Sequence, residues 1–482
     1  MKNKEYTSTQ HILKYIGVFG SVEMLKILAN LVKGKTTAFL LGPIGAGIIA
    51  IYINILDNIR SCTNIGLETA GIQRLSEIDT NKEKEQILHV AKVIRTWSFG
   101  TALLSIPVCL LFAFSLGTTL FDLTPDQSFD LILLLPAAFF APIAIGECAI
   151  LKGTHKLKRV ATVELLVTVC TAICTIAIYS ILKLKGIVLV INLCIAIEAI
   201  LHILFCYSIY PYRISPFSTD TWKRGLPLLK FGIPYFITSL LTAITTTITY
   251  KFISTTEEIG LYKTGFVFIM YFTGIVLSSN ATDYFPRLTS ICHDTKQKNK
   301  AINKQIMAGL HITTPLTMVF LLAMPLIVII LLTPDFMPIT NMCIWAGLFL
   351  VHRSVAHPLE YVSLAHGQSW MFLILESIYN LLVIFFIYIF YHSYGLPGTG
   401  IALSVVGLTN STILYFVNKY CYNVSVSLPN ILNIMLCTTL VGITIALCLQ
   451  PNITLRFALG IPLVIATAAY SLFSIRREIS NE

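Results

Sequence analysis

The sequence predicts an all-α, polytopic membrane protein: two six-helix bundles in parallel pseudo-repeat around a central cavity, plus a C-terminal helix pair, about 14 helices in all. Three observations predict it: composition, the length of the apolar runs, and an internal repeat. Of 482 residues 55% are apolar and 12% charged, half the ~25% charge that covers a soluble domain. Mean hydropathy is +0.77. The apolar runs reach about 20 residues, enough to cross a hydrocarbon core of about 30 Å as a helix. They do not alternate as the strands of an outer-membrane barrel do. A soluble enzyme, a secreted disulfide scaffold and a disordered chain are excluded with the barrel.

Fourteen spans follow in order, near 11–40, 44–72, 89–118, 129–151, 159–182, 186–210, 227–252, 258–286, 303–333, 338–364, 368–392, 397–419, 428–449 and 453–475. Several exceed the bilayer and must tilt or kink; Pro43, Pro107, Pro234, Pro325 and Pro358 mark kinks or ends. The N-terminal MKNKEYTSTQHILKYIG carries no cleavage site, so the first helix is expected to stay in the membrane. The 34 Lys and Arg set orientation. Twenty-two fall at the N-terminus, in alternate loops (Arg95 and Lys152 among them) and at the C-terminus; five, Arg456 among them, fall on the other side; seven lie at membrane depth. This asymmetry predicts both termini in the cytoplasm and an even number of spans. It also explains the net charge of +10 without nucleic acid.

The repeat pairs AGIIAIY…AGIQRLSEI with IGLYKTG…YFPRLTSI. Gly47 and Gly260, Arg74 and Arg287, Leu75 and Leu288, and Ile78 and Ile291 are each 213 positions apart. Six spans separate the copies, so both face the same way. The division that follows is an N-lobe at 1–212, a cytoplasmic linker at 213–225, a C-lobe at 226–420 and an extra helix pair at 421–482.

The twelve Cys are scattered, some inside apolar runs (Cys109, Cys170, Cys174, Cys194). None forms a CxxC pair, and Cys and His do not cluster at zinc spacing; they read as packing residues, and no metal site or cofactor is expected. No P-loop or nucleophile–base arrangement is found.

Ionisable residues at bilayer depth carry the functional signal, because each costs roughly 2.5–3.5 kcal/mol facing lipid. Glu23, Lys26, Asn30, Lys33 and Thr37 step by three and four along one helical face. Asn54, Asp57, Ser61, Asn64 and Glu68 do the same on the second helix, with Arg60 beside them. The second lobe offers Thr242, Thr245, Thr246 and Thr249, then Ser279, Asp283 and Arg287, then Arg353, His357 and Glu360. These stripes are expected to line a hydrated cavity, although internal pairing would also satisfy each charge. Glu147, Glu164, Glu198 and Glu376 read either as coupling sites or as buried acids bonded to neighbouring helices, the second being favoured.

Residues 24–78, with a basic, small-residue first helix, the turn Gly42-Pro43-x-Gly45-x-Gly47 and a polar second helix running into a basic loop, resemble the opening of the lipid-linked oligosaccharide flippases of the multidrug/oligosaccharidyl-lipid/polysaccharide exporter superfamily. The segment 257–291 is similar to that family's second lobe, and the likeness covers about 1–420. The resemblance implies alternating access. It implies a substrate on undecaprenyl pyrophosphate (an O-antigen, lipid III or capsule repeat unit) moved from the cytoplasmic to the periplasmic leaflet of a bacterial inner membrane. It also implies membrane lipids, a polysaccharide polymerase and a chain-length regulator as partners, with the flippase itself a monomer. Lys26 and Lys35 stand where such flippases carry basic residues. A pyrophosphate asks for positive charge in a low-dielectric cavity: Lys26, Lys33, Arg60 and Arg353 supply it, with Asn30 and Asn64 for glycan hydroxyls. Asp57, Glu68 and Asp283 are the candidates for carrying a coupling H⁺ or Na⁺, membrane potential being the other energy source.

Three rivals remain. A drug or cation antiporter on the same fold calls for an acid-dominated, aromatic cavity. A lipid II flippase shares the fold and substrate chemistry. A glycan polymerase or ligase calls for a large catalytic outer loop, and the longest here, near 119–128, is short.

Overall fold

The computed structural model describes the backbone of 2–480 apart from 65, 79–83, 118, 120–123 and 217; side chains at 1–24, 116, 157, 227–231, 275–283 and 478–482 also lie outside the described residues. The described chain is helical nearly throughout, with no strand among the described residues. Lipid leaves this choice open to few structures, because a helix satisfies its own backbone where no water can.

Ten helices are long and apolar enough to cross a membrane, or eleven with the bent pair Ile339–Trp345 and Gly347–Ala365, whose axes differ by 44°. Two of the ten are each a pair of legs. Lys2–Thr63 breaks at Gly42, whose φ of 62° and ψ of −170° are not helical and which precedes Pro43. A Cβ at that φ would be strained, so Gly42 is the residue that permits the turn. The run Lys158–Tyr207 breaks at the 3₁₀ turn Lys183–Gly186. Thr256–Ile291, at the place of the eighth predicted span, is a further helix of 36 residues, though it is not one of these ten or eleven among the described residues.

One predicted span requires correction. The stripe from Asn54 to Glu68 does not lie on one helix, because Lys2–Thr63 ends at Thr63 and Gly66, at φ 71°, starts the separate helix Leu67–Ser76. Gly66 lies against Gly232: a Cβ added at Gly66 would sit 2.3 Å from the Gly232 carbonyl oxygen. Backbone meets backbone here, and the second helix gives way to allow it.

The described chain divides into two compact units, one ending at Thr247 and the other beginning at Ile248. In the first, Leu157–Leu182 packs along the first helix, and Leu135–Gly153 lies between Lys84–Leu111 and Ile187–Tyr207. Leu75, Ile87, Ile94, Ile150, Val163 and Cys206 close a core there. In the second, Gly347–Ala365 packs on Leu396–Tyr422 and Thr295–Leu331. The last two helices, Leu428–Cys448 and Ile453–Ser480, both rest on Thr295–Leu331.

The sequence repeat has a structural counterpart. Gly71–Ile78 and Tyr284–Ile291 follow the same order of exposure, position for position: buried at 71/284 and 75/288, half-buried at 72/285 and 78/291, exposed between. Leu75 and Leu288 are both 0% exposed. Equal burial at one offset is what a duplicated packing unit produces.

Candidate functional site

The first unit gathers charge around Glu68 and Glu164. The Lys26 ammonium donates to Glu164 Oε2 at 2.7 Å, tying the first helix to Leu157–Leu182. Glu68, in the first turn of its short helix, stands between Arg60 at 3.6 Å and Lys152 at 3.7 Å. Glu164 is also within electrostatic range of Lys152. The break at 64–66 makes this arrangement: it turns Glu68 off the line of Asn54 and Asp57 toward the end of Leu135–Gly153, where Lys152 sits. Among the described residues, three bases, Lys26, Arg60 and Lys152, thus meet two carboxylates, Glu68 and Glu164.

The other predicted residues are distributed around it. Lys33, half-buried one helical face up from Lys26, lies within electrostatic range of Cys194 on Ile187–Tyr207. Asn30 and Asp57 are exposed on their helices. Asn64 lies at the break, its backbone N–H donating to the Arg60 carbonyl at 2.9 Å. Asn54 and Ser61 turn inward rather than toward solvent. Asn54 Oδ1 accepts from Thr247 at 2.9 Å, Asn58 donates to Thr247 at 2.8 Å, and the Ser61 hydroxyl meets Ser239 at 2.9 Å. This half of the second stripe is helix–helix packing glue. Asp283 and Glu23 have side chains outside the described residues.

Arg353 belongs to the second unit and to a different environment. Its guanidinium bonds Glu360, two turns along the same helix, and lies over the Tyr379 ring with 6.0 Å to the centroid. Glu360, Glu376, Tyr379 and Asn410 line one small cavity. Two carboxylates flank one cation, so an anion entering here would compete with Glu360.

Sequence reasoning missed Lys152 and Glu164 as site residues. Lys152 lies at the end of an apolar run and reads as a loop charge, and Glu164 reads as an isolated acid. Their helices meet the first only in the fold. Arg95, counted among loop charges, is 2% exposed and bonds Glu147 twice, at 2.6 and 2.9 Å, with a further bond to the Pro211 carbonyl. Arg456, counted as an outer-loop charge, is buried and donates to the Leu321 and Leu322 carbonyls.

Solved structures share this architecture. A multidrug resistance MATE family transporter of the MOP superfamily, inward-facing, aligns with TM-score 0.66 at 15% identity over 83% of this chain and 94% of that one. A MATE transporter of Vibrio cholerae gives 0.56 at 13% identity over 86% and 98%. A MOP superfamily transporter from Pyrococcus furiosus, described as having a binding pocket of reverse polarity, gives 0.52 at 15% identity over 83% and 93%. At such identities the likeness concerns the fold. No curated protein matches the chain significantly. The family model described as polysaccharide biosynthesis protein matches residues 37–341, from the helix break at Gly42 through the repeat and into the bent pair. That match covers more than half of the chain, so the chain belongs to the polysaccharide biosynthesis protein family, a multi-pass membrane protein on the fold of the MOP-superfamily transporters.

Proposed function

We propose that this protein is a flippase, not an enzyme, and that it carries an oligosaccharide linked to undecaprenyl pyrophosphate from the cytoplasmic to the periplasmic leaflet of a bacterial inner membrane by alternating access. Both its termini are cytoplasmic in this reading. The observation that carries the reading is that, among the described residues, Lys26, Arg60 and Lys152 gather around Glu68 and Glu164 between apolar helices. A family of polysaccharide biosynthesis proteins supplies the glycan, and a diphosphate linker supplies the anion that such a cluster attracts. Lys33 adds a further cation on the same helix as Lys26. A cationic drug would meet repulsion here, which argues against an antiporter of that kind. An incoming diphosphate displaces Glu164 from Lys26 and Glu68 from Arg60, so binding and rearrangement of the helices that carry these acids are coupled. O-antigen, lipid III and capsule units share the linker, and partners in polymerisation would act on the glycan after transfer.

The test is transport of an undecaprenyl-pyrophosphate glycan by the purified chain in proteoliposomes. A charge-assisted hydrogen bond contributes about 1.5–3 kcal/mol, so Lys26→Gln or Arg60→Gln is expected to lower transport efficiency roughly tenfold to a hundredfold at unchanged abundance. Glu164→Gln is expected to keep transport, since it removes only the ground-state partner. Normal transport in the two cation variants, or equal loss in all three, overturns the assignment.

A further inference from the structure

At one end of the second unit two helix C-termini converge, and each is capped by a metal-ligating residue. Cys292 is the C-cap of Thr256–Ile291, and His366 is the C-cap of Gly347–Ala365. The potential ligand atoms of Cys292, His293 and His366 all lie within 4.8 Å of one another. A thiolate needs only a small side-chain rotation from that separation to share an ion with two imidazoles.

Three further features favour a cation there. Carbonyl groups at a helix C-terminus present partial negative charge, and two such ends meet at this point. The Nδ1 of His366 lies 2.8 Å from the Val362 carbonyl. A carbonyl only accepts, so Nδ1 holds the proton and the Nε2 lone pair is available to a metal, the outer-shell arrangement that orients ligating histidines. The ring is also packed against Tyr422, 4.7 Å between centroids, and at 5.7 Å from His293. Lys298, anchored by its bond to the Tyr422 carbonyl at 2.7 Å, lies in electrostatic range of Cys292. Asp294 is committed elsewhere. Its carboxylate accepts from the Gln297 and Lys296 backbone and from the Gln297 side chain, bonds that hold its carboxyl below the usual range. The protein ligand set therefore stays at one sulfur and two nitrogens.

We propose that Cys292, His293 and His366 form a Zn²⁺ site, with water in the fourth position, that clamps the ends of Thr256–Ile291 and Gly347–Ala365 together. Thiolate and imidazole in a tetrahedral arrangement suit zinc, and three protein ligands leave one position open. On binding, the Cys292 thiol proton leaves to solvent, an S–Zn bond forms, and no electron is transferred. The ligands are brought together by folding, since His293 and His366 are 73 positions apart.

The test uses the full chain purified in detergent and stripped with a chelator. Zn²⁺ titrated against a chromophoric competitor is expected to show one tight equivalent. Co²⁺ is expected to give a thiolate-to-metal charge-transfer band. Loss of an outer-shell partner alone costs about 10–100-fold in affinity, so Cys292→Ser and His366→Gln are each expected to cost about 100-fold, with the cobalt band lost in Cys292→Ser. His293→Gln, at an exposed position, tests the same site without disturbing packing. Cys421→Ser, at an exposed thiol outside the cluster, is expected to change nothing. Tight zinc binding that survives Cys292→Ser and His366→Gln, a wild-type cobalt complex without the thiolate band, or no binding at micromolar zinc overturns the proposal.

Discussion

Arg95 and Glu147 show how a charge becomes structural in an apolar bundle. Both are 2% exposed or less, and their two-pronged contact is completed by the Pro211 and Tyr210 carbonyls and the Tyr212 ring at 4.8 Å. Removing one partner of such a pair strands the other, a cost of about 3–5 kcal/mol. Glu147→Ala is therefore expected to unfold the purified protein at markedly lower temperature, while Arg95→Met with Glu147→Leu recovers most of the loss. A double variant no more stable than Glu147→Ala would show that the residues act separately. The contrast with Arg60 is one of surroundings: Arg60 remains 44% exposed beside Glu68, and Arg95 is 2% exposed beside Glu147. Residue type and position in the sequence do not distinguish these cases. Arg95 looks like a loop charge in the chain because the helix Lys84–Leu111 starts with charged residues, and it is Leu135–Gly153 with the 210–212 segment that encloses the guanidinium.

Among the helices, Pro325 and Arg456 form a compensating pair. Pro325 sits inside Thr295–Leu331 and has no N–H, so the Leu321 carbonyl loses its partner four residues on. Arg456, near the start of the last helix, donates to that carbonyl at 3.1 Å and to Leu322 at 3.0 Å. The last helix thus satisfies a backbone group that the kinked helix cannot satisfy alone. A hydrogen bond to a charged group is worth about 1.5–3 kcal/mol, and Arg456→Gln is expected to lose that much in a detergent unfolding assay. In a Pro325→Ala background, where the helix regains its own bond, the same substitution is expected to cost far less. Equal costs in both backgrounds would refute the coupling. The helices themselves were legible, because apolar runs of about 20 residues demand them, and the turn at Gly42-Pro43 was legible from its residue types. The break at 64–66 was not. Asn54 through Glu68 keeps a perfect step of three and four, and only the close approach of Gly232 to Gly66 shows why the helix ends at Thr63.

For the whole molecule, the proposed transport reaction has an energetic consequence. A diphosphate-linked glycan with about two negative charges is driven outward by an inside-negative potential, downhill by roughly 4–5 kcal/mol per 100 mV. The emptied carrier returns a net positive cluster inward, which the same potential favours. Imposing an inside-negative potential on proteoliposomes at equal pH and equal Na⁺ is expected to accelerate outward flipping. If potential alone has no effect and a proton or Na⁺ gradient restores transport, ion exchange drives the cycle and the charge argument fails.

The sequence by itself determined the helical membrane class and the duplicated segment, because both are written in local composition and in residues at one fixed offset. Gly71–Ile78 and Tyr284–Ile291, segments at that offset, share one order of burial in the fold. Only the tertiary structure decided which charges work together. Lys26 with Glu164, Glu68 with Lys152, Arg353 within electrostatic range of Glu376, and Cys292 near His366 bring together residues from different helices. The physical reason is that helical periodicity fixes which face a side chain occupies, and the partner across that face is chosen by packing between segments far apart in the chain.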